Sequence, residues 1–204
     1  MAGHASSTKS SPDGFPSETG QTPSISNALQ IFLQALDGIS EASILDTGPV
    51  CGENINFFGR RVKKLYVCDM FLRLDLDHRK GVSPELLWRD LDYEPETFDG
   101  ILLWDLLNHL EEEHVGPLME FCRHALKPGG MLMVFLLGQK TALPGIDTFV
   151  IDEGFRLYRR PQPHLDLRLF RHKERDLLAE LSRFKLLKSF ITHEGLKELL
   201  FQKP

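Results

Sequence analysis

The sequence predicts an α/β domain whose doubly wound, mostly parallel sheet ends in an antiparallel hairpin, and three observations predict it. Short apolar segments of strand length alternate five times with helical segments, as in parallel sheets with crossover helices. The first strand runs into a glycine loop at Gly48 to Gly52. Near the C-terminus, two strand candidates are separated only by residues 193–195, which is too short for a parallel crossover.

Composition limits the function classes. The chain has 204 residues, of which 42% are hydrophobic and 26% charged, and this suits one compact domain. No apolar run is long enough to span a bilayer, and the N-terminus lacks a signal-peptide pattern. Cys51, Cys68 and Cys122 are scattered, so we predict neither a disulfide framework nor a metal cluster. The net charge of -5 argues against nonspecific nucleic-acid binding. We expect a soluble, cytoplasmic protein without a membrane partner; its oligomeric state stays open.

The N-terminal segment has two parts. Residues 1–23 are rich in Ser, Gly, Pro and Thr, and they predict a disordered tail before a domain at 24–204. Ser24 or Ser26 then caps a helix whose spacing gives one apolar face. The residues of that face are Ile25, Leu29, Phe32, Leu33 and Leu36.

The stretch from Ser43 to Asn56 reads as strand, glycine loop and helix, which is typical of a nucleotide-type cofactor site. A second strand, Val62 to Asp69, also ends on a carboxylate. An acidic residue about 20 positions beyond such a loop binds ribose hydroxyls in nucleotide-binding folds. In isolation, such a loop is more often an ordinary strand-to-helix turn, and Asp69 is equally compatible with a helix cap or a turn.

The middle of the chain continues the alternation. A loop or short helix at Phe71 to Pro84 precedes a short third strand at Leu86 to Asp90. The remaining predicted elements are a buried central strand at Phe98 to Asp105, an amphipathic helix at Glu111 to Leu126, a turn at Leu126 to Gly130 and a fifth strand at Met131 to Leu137.

The last third begins with an irregular insert at residues 139–170, a candidate substrate cap. A basic excess between Arg156 and Arg175 fits either a solvated surface or a cap that binds a phosphate or a carboxylate. A helix over Leu177, Leu178 and Leu181 and the strands Phe184 to Thr192 and Leu196 to Phe201 follow.

From about Ser24 to the C-terminus, the chain resembles class I S-adenosylmethionine-dependent methyltransferases. The matching pieces, in order, are Ile44-Leu-Asp-Thr-Gly48 with Gly52, Asp69, Asp90-Leu91, Phe98-Asp with Leu103-Trp-Asp-Leu-Leu-Asn-His109, and Leu126-Lys-Pro-Gly-Gly130. The resemblance implies a Rossmann-like sheet of seven strands that ends in an antiparallel hairpin. One departure is Val50, which stands where the family usually has the middle glycine of its loop.

The resemblance also implies roles for individual residues. The S-adenosylmethionine-binding set would be Asp46, Thr47, Gly48, Pro49, Gly52, Asp69, Met70, Asp90, Leu91 and Trp104. Asp105 and His109 are the candidate general bases, if the acceptor must lose a proton. The alternatives are a polar residue at the start of a helix for His109 and a core residue for Trp104.

Two functions follow as hypotheses. The first is methyl transfer from S-adenosylmethionine to a small molecule or soluble biopolymer. The second is a catalytically inactive, methyltransferase-like binding or regulatory protein, which Val50 and the lack of an obvious base favour. A nicotinamide-dependent oxidoreductase ranks below both, because the chain lacks a G-x-G-x-x-G loop.

Overall fold

The computed structural model describes residues 23–82, 88, 91–138, 145–192 and 194–204. The predicted tail therefore lies almost wholly outside the described residues. The strands are β1 (Ser24–Ile25), β2 (Ser43–Asp46), β3 (Lys64–Val67), β4 (Phe98–Trp104), β5 (Leu126–Leu136), β6 (Asp147–Ile151), β7 (Arg156–Pro161), β8 (Lys185–Ile191) and β9 (Lys197–Gln202). The helices are α1 (Asn27–Leu36), α2 (Gly52–Gly59), α3 (Met70–Lys80), α4 (Glu112–Ala125) and α5 (Glu174–Glu180), with 3₁₀ turns at Leu106–His109 and Leu181–Arg183.

The central sheet has the strand order β3-β2-β4-β5-β9-β8. β3, β2, β4 and β5 are parallel, whereas β9 pairs antiparallel with both β5 and β8. The doubly wound sheet and its C-terminal hairpin are therefore confirmed. Within the described residues the sheet has six strands, not the predicted seven. Of the predicted third strand, only Trp88 is described, and it is helical; Asp90 lies outside the described residues.

Side chains of the central strands alternate between two apolar layers, as the pleat of a strand requires. Along β4, Leu102 and Trp104 pack with α1 and α2, whereas Ile101 and Leu103 pack with α3 and α4. All seven residues of β4 are buried. The central strand is thus covered on both faces, as its nearly continuous apolar sequence predicted.

The sequence predicted that residues 139–170 are irregular, and this prediction is wrong for the part that forms β6 and β7. β6 and β7 form an antiparallel hairpin, called the cap hairpin below, and β7 also pairs with β1. The strand β1 contains Ile25, which is 54% exposed and does not belong to the apolar face of α1. The helix itself begins as predicted, because the Ser26 side chain accepts a hydrogen bond from Leu29 N at 3.1 Å.

Three further boundaries differ from the sequence-based expectations. Residues 70–80, which were expected in a loop or short helix, form the 11-residue helix α3. Asp69 lies beyond β3 and caps α3, since its Oδ1 accepts from Leu72 N at 2.8 Å. The predicted turn at Leu126–Gly130 is the irregular first part of β5, where the register against β4 shifts.

Across the described part of the chain, no helix has the length and apolar character needed to cross a membrane.

Gly100, in the middle of β4, supplies the close approach between the sheet and α1. A Cβ atom at this position would lie 2.4 Å from Phe32 Cζ and 2.8 Å from Phe32 Cε2. Phe32 is fully buried, so its ring has little room to move.

We therefore expect Gly100→Ala to lower the free energy of unfolding by about 1–3 kcal/mol, the usual cost of overpacking a core. Urea denaturation measures it. The control is Gly59→Ala at the end of α2, where a Cβ would meet nothing within 4 Å. That variant should be neutral or stabilised by up to about 1 kcal/mol. Equal stabilities of the two variants would contradict the packing account.

Candidate functional site

The candidate site lies at the carboxyl edge of the parallel strands, where β2 and β3 end side by side. Asp46 is the last residue of β2 and pairs in register with Val67, and Asp69 follows two residues later. Asp46 Oδ1 accepts a hydrogen bond from Gly48 N at 3.0 Å, and Asp69 Oδ2 accepts one from Val50 N at 3.1 Å. The two carboxylates thus hold the backbone of the same glycine loop. Of the predicted cofactor residues, the structure brings Asp46, Gly48 and Asp69 together at this edge.

Hydrogen bonds to the neighbouring strand β4 also hold the glycine loop in place. Thr47 is buried, and both its backbone N–H and its hydroxyl donate to the Leu102 carbonyl, at 3.1 and 2.8 Å. The helix α2 then begins after Cys51, whose side chain makes no capping hydrogen bond. Burial raises the pKa of the Cys51 thiol, so the residue is a protonated filler rather than a nucleophile.

Trp104 fills the space above the loop. Its Nε1 donates to Asp46 Oδ1 at 2.6 Å, and a Cβ on Gly48 would lie 2.7 Å from its Cδ1 and Nε1 atoms. The indole stacks on Phe149 of the cap hairpin at 5.8 Å with an interplanar angle of 8°, and Trp104 is only 2% exposed. The absence of a side chain at position 48 therefore makes room for the indole.

The residues at this edge can be compared with the groups that S-adenosylmethionine would present to them. The polar groups suit the cofactor: a buried carboxylate, a second and half-buried carboxylate, and a glycine loop that leads into a helix N-terminus. The space over Gly48 is filled by the indole, because a Cβ at this position would meet two of its ring atoms. A ligand group that lay against Gly48 would therefore have to displace the indole.

The other predicted cofactor residues differ in accessibility. Pro49 is buried and Gly52 is exposed at the start of α2. Met70, the first residue of α3, is fully buried, and Leu91 is 9% exposed. Burial raises the pKa of Asp46, although the hydrogen bonds from Trp104 and Gly48 act in the opposite direction.

Asp105 and His109, the candidate bases, lie next to each other on the 3₁₀ turn after β4. His109 Nε2 is 3.7 Å from Asp105 Oδ2, too long for a hydrogen bond. His109 Nδ1 lies 3.1 Å from the Arg168 carbonyl oxygen, which requires the proton to be on Nδ1. His109 Nε2 and Asp105 Oδ1 are both buried without a hydrogen-bond partner among the described residues.

Side chains of α2 hold the cap hairpin in place. The sequence did not predict this contact. Asn54 donates to the Phe149 carbonyl at 2.8 Å and accepts from Ile151 N at 2.9 Å, as a neighbouring strand would. Glu53 pairs with Arg160 at 2.6 Å, and this hydrogen bond lowers the pKa of Glu53 to about 2. The only signal in the sequence was a polar Asn among the apolar positions of α2.

Three of the arginines in the basic stretch between Arg156 and Arg175 form ion pairs within the domain. Arg156 pairs with Asp152, and Arg159 pairs with Asp147, each at 2.6 Å. Arg160 pairs with Glu53, as described above. The three arginines of β7 therefore hold the cap hairpin to itself and to the glycine-loop helix.

Comparisons with known proteins add the family context. No family model and no curated protein matches the sequence significantly. Among solved structures, the chain is similar to the Burkholderia thailandensis 1,6-didemethyltoxoflavin-N1-methyltransferase, which holds 1,6-didemethyltoxoflavin and S-adenosylhomocysteine. That match has a TM-score of 0.51 and 19% identity, and it covers 86% of this chain and 76% of the other.

Two further structures agree. The N-methyltransferase NodS of Bradyrhizobium japonicum WM9, in complex with S-adenosylhomocysteine, matches with a TM-score of 0.51 and 15% identity over 87% of this chain and 85% of NodS. An S-adenosylmethionine-dependent methyltransferase of Mesorhizobium loti matches with a TM-score of 0.50 and 14% identity over 86% and 98% of the two chains. The chain has the class I methyltransferase fold.

Within this methyltransferase fold, the attachment of the cap hairpin is directly testable. We expect Asn54→Ala to lower the free energy of unfolding by about 2–4 kcal/mol, because it leaves one N–H and one C=O of β6 unpaired. Amide hydrogen exchange at Ile151 should accelerate at the same time. Ile55→Ala, on the exposed side of the same helix, is the control and should change neither quantity. Unchanged exchange at Ile151 in Asn54→Ala would contradict the attachment.

Proposed function

We propose that this chain is an S-adenosylmethionine-dependent methyltransferase that acts on a small molecule. The observation that carries the proposal is the pair of carboxylates, Asp46 and Asp69, that hold one glycine loop at the carboxyl edge of a parallel sheet. Ligands of open α/β sheets bind at this edge. The fold supports the proposal independently, because its structural neighbours are S-adenosylmethionine-dependent methyltransferases.

Asp69 and Asp46 would bind different parts of the cofactor. Asp69 Oδ1 and Oδ2 each accept one backbone hydrogen bond, which leaves further lone pairs for the two ribose hydroxyls. Asp46 is a buried carboxyl group beside the indole of Trp104, and the face of an aromatic ring attracts a sulfonium or an ammonium group. The bound cofactor would supply an electrophilic methyl group, and the chain would contribute by holding it in line with the acceptor.

A small acceptor is favoured by the cover over the site. The cap hairpin lies on α2 and stacks Phe149 on Trp104, so one side of the candidate pocket is closed by protein. Two structural neighbours are N-methyltransferases, and one of them holds a small heterocyclic substrate. Asp105 and His109 stay the candidate bases, and a cytoplasmic location stays a prediction.

A specific observation favours a second candidate, a methyltransferase-like binding protein that does not use the cofactor. The packing of Trp104 on Gly48 accounts for the glycine without any ligand. The two functions differ in whether the indole leaves this position when S-adenosylmethionine or S-adenosylhomocysteine is present.

Cofactor binding should move Trp104 out of its buried site, and fluorescence detects this. The chain has two tryptophans, so Trp88→Phe leaves Trp104 as the only indole. Titration of this variant with S-adenosylhomocysteine should shift the emission to longer wavelength. The Trp88→Phe exchange should itself leave the affinity within about 2-fold, since Trp88 packs in the other apolar layer.

Trp104→Phe should bind S-adenosylhomocysteine at least about 10-fold more tightly than the natural chain. The variant no longer has to break a hydrogen bond to a carboxylate, worth about 1.5–3 kcal/mol. Calorimetry measures the affinities. Equal affinities would show that the indole does not compete. No heat with either protein at millimolar ligand would reject the methyltransferase proposal and leave the binding protein.

The acceptor class has its own test. The protein is incubated with methyl-labelled S-adenosylmethionine and a cell extract, and small molecules, RNA and protein are then separated. Label should appear in the small-molecule fraction. Label in the RNA or protein fraction would contradict a small acceptor while keeping the methyltransferase activity.

A further inference from the structure

Three side chains at the start of α4 form a cluster that methyl transfer does not use. Glu111 is the N-cap residue of the helix, and Glu113 and His114 follow in its first turn. One candidate ligand atom from each of them lies within 4.8 Å of the other two. Carboxylate oxygens and imidazole nitrogens are the ligands that first-row divalent ions share.

The buried histidine is the unusual member. His114 is 6% exposed, and its Nδ1 makes no hydrogen bond to any described residue. Its Nε2 is 3.8 Å from Glu113 Oε1, beyond hydrogen-bond distance. The imidazole therefore has no hydrogen-bond partner among the described residues, and leaving a buried polar group unpaired costs about 1–3 kcal/mol.

A cavity adjoins the cluster. It has a volume of about 130 Å³ and lies between α3, the start of α4 and residues 167–170. Glu111 and His114 line it, together with His78 on α3 and His109 on the 3₁₀ turn. A metal ion held by three protein ligands keeps at least one coordination position open, and this cavity provides space for a water or another small ligand there.

We propose that Glu111, Glu113 and His114 bind a divalent transition-metal ion of the zinc type. Two carboxylates and a neutral imidazole balance the charge of such an ion. The nitrogen ligand disfavours Mg²⁺ and Ca²⁺, which prefer oxygen ligands. Ligands of a tetrahedral zinc ion lie about 3.3 Å apart, given bonds of about 2.0–2.1 Å. The glutamates can close the remaining distance, because Glu113 is 75% exposed.

Acidic residues at a helix N-terminus have another role, the stabilisation of the helix dipole. Glu112 shares that role, because it lies in the same first turn. It is not part of the three-residue cluster. Glu112→Gln is therefore a matched control for Glu113→Gln: both remove one first-turn charge, and only the second removes a metal ligand.

The full-length protein is freed of metal with a chelator, exchanged into a non-chelating buffer and titrated with ZnCl₂ by calorimetry. One ion should bind per chain. Even loss of an outer-shell partner weakens metal affinity about 10–100-fold, so Glu113→Gln should weaken it at least about 10-fold. Glu112→Gln should stay within about 2-fold. Circular dichroism checks that each variant is folded, and Mg²⁺ serves as the ion that should not bind.

Co²⁺ adds a spectroscopic check, because its visible ligand-field bands report the coordination sphere. The proposal predicts bands of a nitrogen- and oxygen-ligated ion that Glu113→Gln alters and Glu112→Gln does not. Thiolate charge-transfer bands would place the ion on a cysteine and overturn it. No binding of Zn²⁺, or equal affinities in both variants, would also overturn it. None of these outcomes depends on cofactor binding.

Discussion

The hydrogen bond from Trp104 Nε1 to Asp46 Oδ1 connects the three parts of the candidate site. Trp104 ends β4 with a left-handed φ of 52°, which costs an L-residue about 1–2 kcal/mol. The carboxylate contact and the stacking on Phe149 offset this cost. The end of the central strand, the glycine loop and the cap hairpin therefore keep their positions together.

The same contact explains why a buried carboxylate is tolerated. Asp46 is 4% exposed, and its Oδ1 accepts hydrogen bonds from one backbone N–H and one indole N–H. A ligand that displaces the indole must replace the donor it removes.

The two apolar layers separate the two proposed sites. Trp104 and Phe149 belong to the layer with α1 and α2, whereas the cavity beside His114 lies against α3 and α4. His109 lines that cavity and also faces Asp105 at the end of β4. The 3₁₀ turn after β4 therefore carries a residue that faces both the cavity and the end of the central strand.

Much of the fold could be predicted, because hydrophobic periodicity and turn residues are local properties of the sequence. The buried β4, the amphipathic α4 and the C-terminal hairpin follow from spacing alone. The cap hairpin could not be predicted in this way. Its β7 strand carries three arginines, and only their partners Asp152, Asp147 and Glu53 show that these charges are structural.

The sequence by itself determined which chemical groups meet at the carboxyl edge of the sheet, because Asp46 ends β2, Asp69 follows β3 by two residues, and these parallel strands end together. Only the tertiary structure decided what fills the space between those groups. Gly48 in the sequence indicates a close approach without naming the approaching partner. In the folded chain that partner is Trp104, 56 positions further on, which the pairing of β2 with β4 carries to the loop. A side chain so distant in sequence is placed by strand register, which no local pattern encodes.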